Sequence, residues 1–108
     1  MNEVNEISIA PPGGFLLVPV HPGRTLAAEL AARGLSAHAL ALKLRVPANR
    51  VSEIVAGKRG ISPETALRLG RYFATGAAFW INLQSQYDLA LAERELGQRI
   101  VAEVEQPA

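Results

Sequence analysis

Helix start and stop residues recur so closely between His21 and Gly76 that this stretch can fold only as a series of short helices. Pro22 suits a first helical turn and Gly34 a stop, which predicts a first helix over Pro22–Arg33. Ser36 is a good N-cap for a second helix ending near Arg45. Pro47 is placed to open a third helix, ended by Gly57. Ser62-Pro63-Glu64 supplies a hydroxyl cap, a proline pre-set for helix and an acid near the positive helix end, and so begins a fourth. A fifth, longer helix starts at Thr75 or Gly76. The expected fold class is all-α.

The apolar positions agree with this division. Leu26 and Leu30 share a face of the first helix, and Leu40 and Leu44, with Ala41 between them, a face of the second. Val51, Ile54 and Val55 form the inward stripe of the third, and Ala66, Leu67, Leu69, Tyr72 and Phe73 the apolar set of the fourth, where Gly70 is a weak point. The fifth opens on Phe79, Trp80, Ile81 and Leu83, with Trp80, Leu83 and Tyr87 on one face. Further along it, Leu89, Leu96, Ile100 and Val104 make a second stripe with no obvious helix to cover it; it either folds back on this chain or pairs with a second copy.

Residues 1–20 read as an arm, rich in Pro and Gly and without helical periodicity, ahead of a single helical domain over 21–108. The apolar stretch Ile9–Val20 is broken by Pro11, Pro12, Gly13, Gly14 and Pro19 and is shorter than the roughly 20 residues of a membrane-spanning helix. Glu3 and Glu6 stand where a signal peptide would be basic. The absence of cysteine excludes disulfides, thiolate metal sites and a thiol nucleophile, and fits a cytoplasmic location. No catalytic constellation appears, so no enzyme, metal or cofactor is expected. Charge is unevenly spread: residues 21–74 hold nine basic and three acidic side chains, whereas both flanks are net acidic. A basic middle suits a polyanion-binding core or, more plainly, a solvated basic face.

Two short helices joined by a tight turn in a basic all-helical domain outline a helix-turn-helix. Small Ala41 allows close helix approach, and Val46-Pro47 makes the turn. With Val51 and Ile54 inward, Ala48, Asn49, Arg50 and Glu53 are expected to point outward at the end that enters a major groove. Asparagine pairs in bidentate fashion with adenine and arginine with guanine. Ser36, Lys43, Lys58 and Arg59 suit backbone phosphates. Glu53 either accepts from cytosine or pairs with Arg50 or Lys58. His38 is expected to be exposed, on phosphate or in solvent, and His21 to cap the first helix, since no second metal ligand stands at useful spacing. Trp80 and Tyr87 read as core rather than as a base-stacking pair, and Asn82 and Gln84 as caps or bridges.

The run from Leu35 to Arg59 resembles the lambda-repressor-like (XRE) helix-turn-helix. His21-Pro22-Gly23, the continuation Gly60–Leu69, the block Phe79-Trp80-Ile81-Asn82-Leu83-Gln84 and Tyr87-Asp88-Leu89 are similar to the HigA-type antitoxins, the resemblance covering roughly residues 19–95. It implies a lambda-repressor-like five-helix fold with a long C-terminal helix. It also implies a homodimer on a double-stranded operator that represses its own operon, with a HigB-type mRNA-cleaving toxin as partner. In the family the residue after Ser36 is often a glutamine on phosphate; here it is Ala37, for which His38 is the available substitute. Ala48 offers no hydrogen bond, so base reading would lean on Asn49 and Arg50. A stand-alone XRE regulator without a toxin, and a helical module that binds only a protein partner, are the competing readings.

Overall fold

The computed structural model describes residues 18–107 and, among them, contains five helices: α1 Pro22–Arg33, α2 Ala37–Leu44, α3 Arg50–Val55, α4 Pro63–Phe73 and α5 Ala77–Glu103. The expected all-α fold is the observed one. The arm read over residues 1–20 lies outside the described residues up to position 17. The contacts divide the described residues into a unit of Val20–Gln86 and a second that takes in the chain from Tyr87 onward.

Local chemistry sets the helix ends in the first unit. His21 Nδ1 accepts from the Gly23 N–H at 2.9 Å and caps α1. Ser36 Oγ accepts from the Ala39 N–H at 3.0 Å, and Ser62 Oγ from the Thr65 N–H at 3.2 Å. Gly34, Arg45 and Ala74 end α1, α2 and α4 in the left-handed region. The start of α3 departs from expectation. Pro47 does not open it; the Arg50 N–H bonds the Pro47 carbonyl at 2.9 Å in a turn, and regular helix begins at Arg50. Proline's fixed φ and missing N–H are tolerated in a turn as well as in a first helical turn, so Pro47 alone does not settle where the helix begins.

Leu26, Leu40, Ala41, Val51, Ile54, Ala66, Leu69 and Trp80 are fully buried in one core. α3 packs on α1 and α2, and α2 on α4. The Arg68 guanidinium ties α4 to the end of α2, donating to the Leu44 carbonyl at 2.9 Å while pairing with Glu64. Ring contacts close the far side: Trp80 lies 5.7 Å from Phe73 and 5.0 Å edge-on from Phe79. Thr75, read as a possible start of α5, lies just before it and accepts the Trp80 indole N–H at 3.0 Å. A buried indole needs an acceptor, and the hydroxyl one helical turn back supplies it.

Three expectations for α4 are corrected. Leu67 and Tyr72 are exposed rather than core, whereas Thr65 is buried. Gly70 is no weak point: it lies against the backbone of Gly76 and Ala77, where any Cβ would collide. Packing outweighs helix propensity at that position.

In the second unit, the later turns of α5 bury Ala90, while Leu89, Ile100, Val101 and Val104 are exposed and Leu96 is half-buried. No helix among the described residues is long and apolar enough to cross a membrane.

Candidate nucleic-acid interface

The candidate surface is the outer face of α3 together with the loop that follows it. Val51 and Ile54 are fully buried, which fixes the rotation of the helix. Side chains three and four apart share a face, so Asn49, Ser52, Glu53 and Ala56 come together on the other side. Ala48, Asn49, Ser52 and Ala56 are exposed and Glu53 is half-buried.

These side chains form a connected row. Asn49 Nδ2 donates to Glu53 Oε2 at 3.0 Å, and Arg59 Nε donates to Glu53 Oε1 at 2.8 Å. Ser52 Oγ donates to the Asn49 carbonyl at 3.1 Å. Glu53 therefore pairs with Arg59 rather than with Arg50 or Lys58, the ion-pair partners considered beside a cytosine contact. The loop explains the choice: the Lys58 N–H bonds the Glu53 carbonyl at 2.9 Å, and the turn brings the next residue back over the helix. One carboxylate thus orients both Asn49 and Arg59. The remaining Asn49 N–H and its Oδ1 still match the N7 acceptor and N6 donor of adenine.

Arg50 is corrected. It stands four residues before buried Ile54, hence on the inward side, and is half-buried. Its Nη1 donates to Thr65 Oγ1 at 3.2 Å, a hydroxyl that also accepts from Ser62 Oγ at 3.2 Å. Its Nε is buried without a hydrogen-bond partner among the described residues. In this structure Arg50 braces α3 against the start of α4 rather than facing outward.

The other expected residues are dispersed. Ser36 Oγ accepts the α2 cap bond, and His38 is exposed on the first turn of that helix. Lys58 is exposed in the loop. Lys43 lines a separate cleft of about 330 Å³ between the end of α2 and the α4 residues Leu67, Arg71 and Tyr72. Sequence reasoning missed Ser52 and Thr65, whereas Gln84, expected to cap or bridge, does bridge, its Oε1 accepting from the Ile61 N–H at 2.7 Å. Ser52 was legible in principle, since it is three residues from Asn49. No group of three potential metal ligands occurs among the described residues.

Beneath this surface lies a close backbone contact. Gly23, in the first turn of α1, sits on the Ile54 carbonyl, leaving no room for a Cβ. The His21-Pro22-Gly23 run therefore both starts α1 and seats α3.

The helix-turn-helix family model matches residues 26–80. The chain belongs to the XRE-type helix-turn-helix family. Virulence-associated protein I of Dichelobacter nodosus is 49% identical over 86 residues, covering 79% of this chain and 80% of that protein. The structural neighbours of this chain include HigA-family antitoxins. An addiction module antidote protein of the HigA family from Coxiella burnetii superposes with a TM-score of 0.79 at 44% identity, covering 82% of this chain and 98% of the other. The Pseudomonas aeruginosa antitoxin HigA, solved with the higBA promoter, gives 0.81 at 48% identity over 84% of this chain and all, 100%, of that one. In this helix-turn-helix, α2 and α3 are the paired helices and the row Asn49–Glu53–Arg59 occupies the outer side of the second.

Proposed function

We propose that this protein is a DNA-binding antitoxin that represses its own operon and neutralises an mRNA-cleaving ribonuclease of the HigB type. The observation that carries the DNA part is the pre-ordered row of Asn49, Glu53 and Arg59 along the exposed face of α3 and its following loop, in a chain 48% identical to an antitoxin solved on promoter DNA. α3 enters the major groove, Asn49 reads a base, and Arg59 and Lys58 meet the flanking phosphates. Ser36 and His38 at the start of α2 lie along the adjoining backbone. The exposed stripe of Leu89, Ile100 and Val104 supports a homodimer, whose two reading helices suit a palindromic operator.

The test is binding to a fluorescent duplex carrying the chain's own upstream promoter, beside a scrambled duplex, at two salt concentrations. Tight, sequence-preferring, salt-sensitive binding is expected; equal or absent binding to both duplexes rejects the repressor. Asn49→Ala is expected to lose about 1–3 kcal/mol of discrimination at one base pair, measured by a single-substitution operator series. Lys58→Ala should weaken binding to all sequences alike and flatten the plot of log affinity against log salt by about one unit. Co-purification with the product of the adjacent gene separates the antitoxin from a stand-alone regulator. Sedimentation as a monomer both with and without DNA would count against the dimer.

A further inference from the structure

The loop that carries Lys58 and Arg59 is pinned at both ends, and its far pin comes from a residue with no part in the row on α3. At its start, the Gly57 and Lys58 N–H groups bond the Ile54 and Glu53 carbonyls at 3.0 and 2.9 Å. At its end, the Ile61 side chain is buried in the core and its N–H donates to Gln84 Oε1 at 2.7 Å. Gln84 lies on α5, 23 residues away in sequence. Its carboxamide rests on Gly60: a Cβ there would stand 3.0 Å from both its Nε2 and its Oε1. The side chain thus touches the loop at two successive residues. Buried Trp80, one turn earlier, fixes the rotation of α5 that delivers it.

We infer that Gln84 is a positioning residue for nucleic-acid binding: it does not contact DNA, but sets where Lys58 and Arg59 present their charges. The inference rests on the DNA-binding reading above. A cation held at one place meets a phosphate without first giving up the freedom of its loop. If the pin is cut, the loop keeps its start but loses the end that fixes its path.

Gln84→Met keeps length and helix propensity and removes the acceptor; Gln84→Glu keeps an acceptor oxygen. In Gln84→Met the Ile61 amide is expected to exchange with solvent about tenfold faster while the core amides of α1 and α4 keep their protection. Gln84→Glu should retain the Ile61 protection. Operator affinity of Gln84→Met should fall about three- to tenfold, within the range for coupled neighbours. In a Lys58→Ala, Arg59→Ala background the same change should cost less than about twofold, because the groups it positions are gone. Faster exchange with unchanged affinity overturns the inference. So does an equal loss in both backgrounds, which would mean a general structural effect. A wild-type chain that binds no duplex removes the DNA reading itself, and the positioning role with it.

Discussion

Trp80→Ala is expected to destabilise the protein by about 3–5 kcal/mol, the range for emptying a large aromatic site in a core. For a domain of this size that lowers Tm by roughly 4–8 °C per kcal/mol, enough to leave much of the chain unfolded at 37 °C. Three losses combine. Trp80 is the largest fully buried side chain and packs against Phe73 and Phe79. Its indole N–H is held by Thr75, just before α5 begins. It also sets the rotation of that helix. Trp80→Phe keeps most of the volume and loses the indole donor, so it should cost about 1–2 kcal/mol, nearer the value for a hydrogen bond with a small cavity. Thermal unfolding followed by far-ultraviolet circular dichroism measures both. Equal, small costs would mean that the ring is not packed as described.

Gly23→Ala gives the second large effect, and its sign is the informative part. Helix propensity alone favours alanine over glycine by about 0.5–1 kcal/mol. The structure requires the opposite, because the new methyl group would land on the Ile54 carbonyl at the end of α3. Backbone meets backbone there, so no side chain can turn aside, and the cost should reach about 3 kcal/mol, the upper part of the range for overpacking. α3 can escape only by moving off α1, which displaces Asn49 and Glu53. Operator affinity should therefore fall further than Tm predicts. The measurement is a thermal melt paired with operator binding at a temperature where the variant is folded. A higher Tm than wild type would show that the contact is absent.

The reach of sequence reasoning followed the range of the interactions. The limits of α1, the caps of α2 and α4 and the buried faces of α1–α3 depend on residues within one or two helical turns of each other: Pro22 and Gly34, Ser36 with Ala39, Ser62 with Thr65, Val51 with Ile54. Local spacing determined these. It also located α3 and its loop as the candidate interface, because Asn49, Glu53, Lys58 and Arg59 follow directly from the turn at Val46-Pro47.

What the tertiary structure decided involved groups far apart in the chain or choices between nearly equal local states. The start of α3 moved from Pro47 to Arg50, where the Arg50 N–H closes a turn on the Pro47 carbonyl before regular helix begins. Arg50 turned inward because Thr65, 15 residues on, offers a buried acceptor. Glu53 chose Arg59 because the loop folds back over the helix. Leu67 and Tyr72 were left exposed since no element of their unit covers that side of α4. Gly70 reads as a weak point by helix propensity and Gly23 carries no packing signal in the sequence, yet each is a place where two stretches of backbone touch. Periodicity reports which face of a helix is buried; it carries no information about which distant backbone lies against that face, and the packing of whole helices settles that.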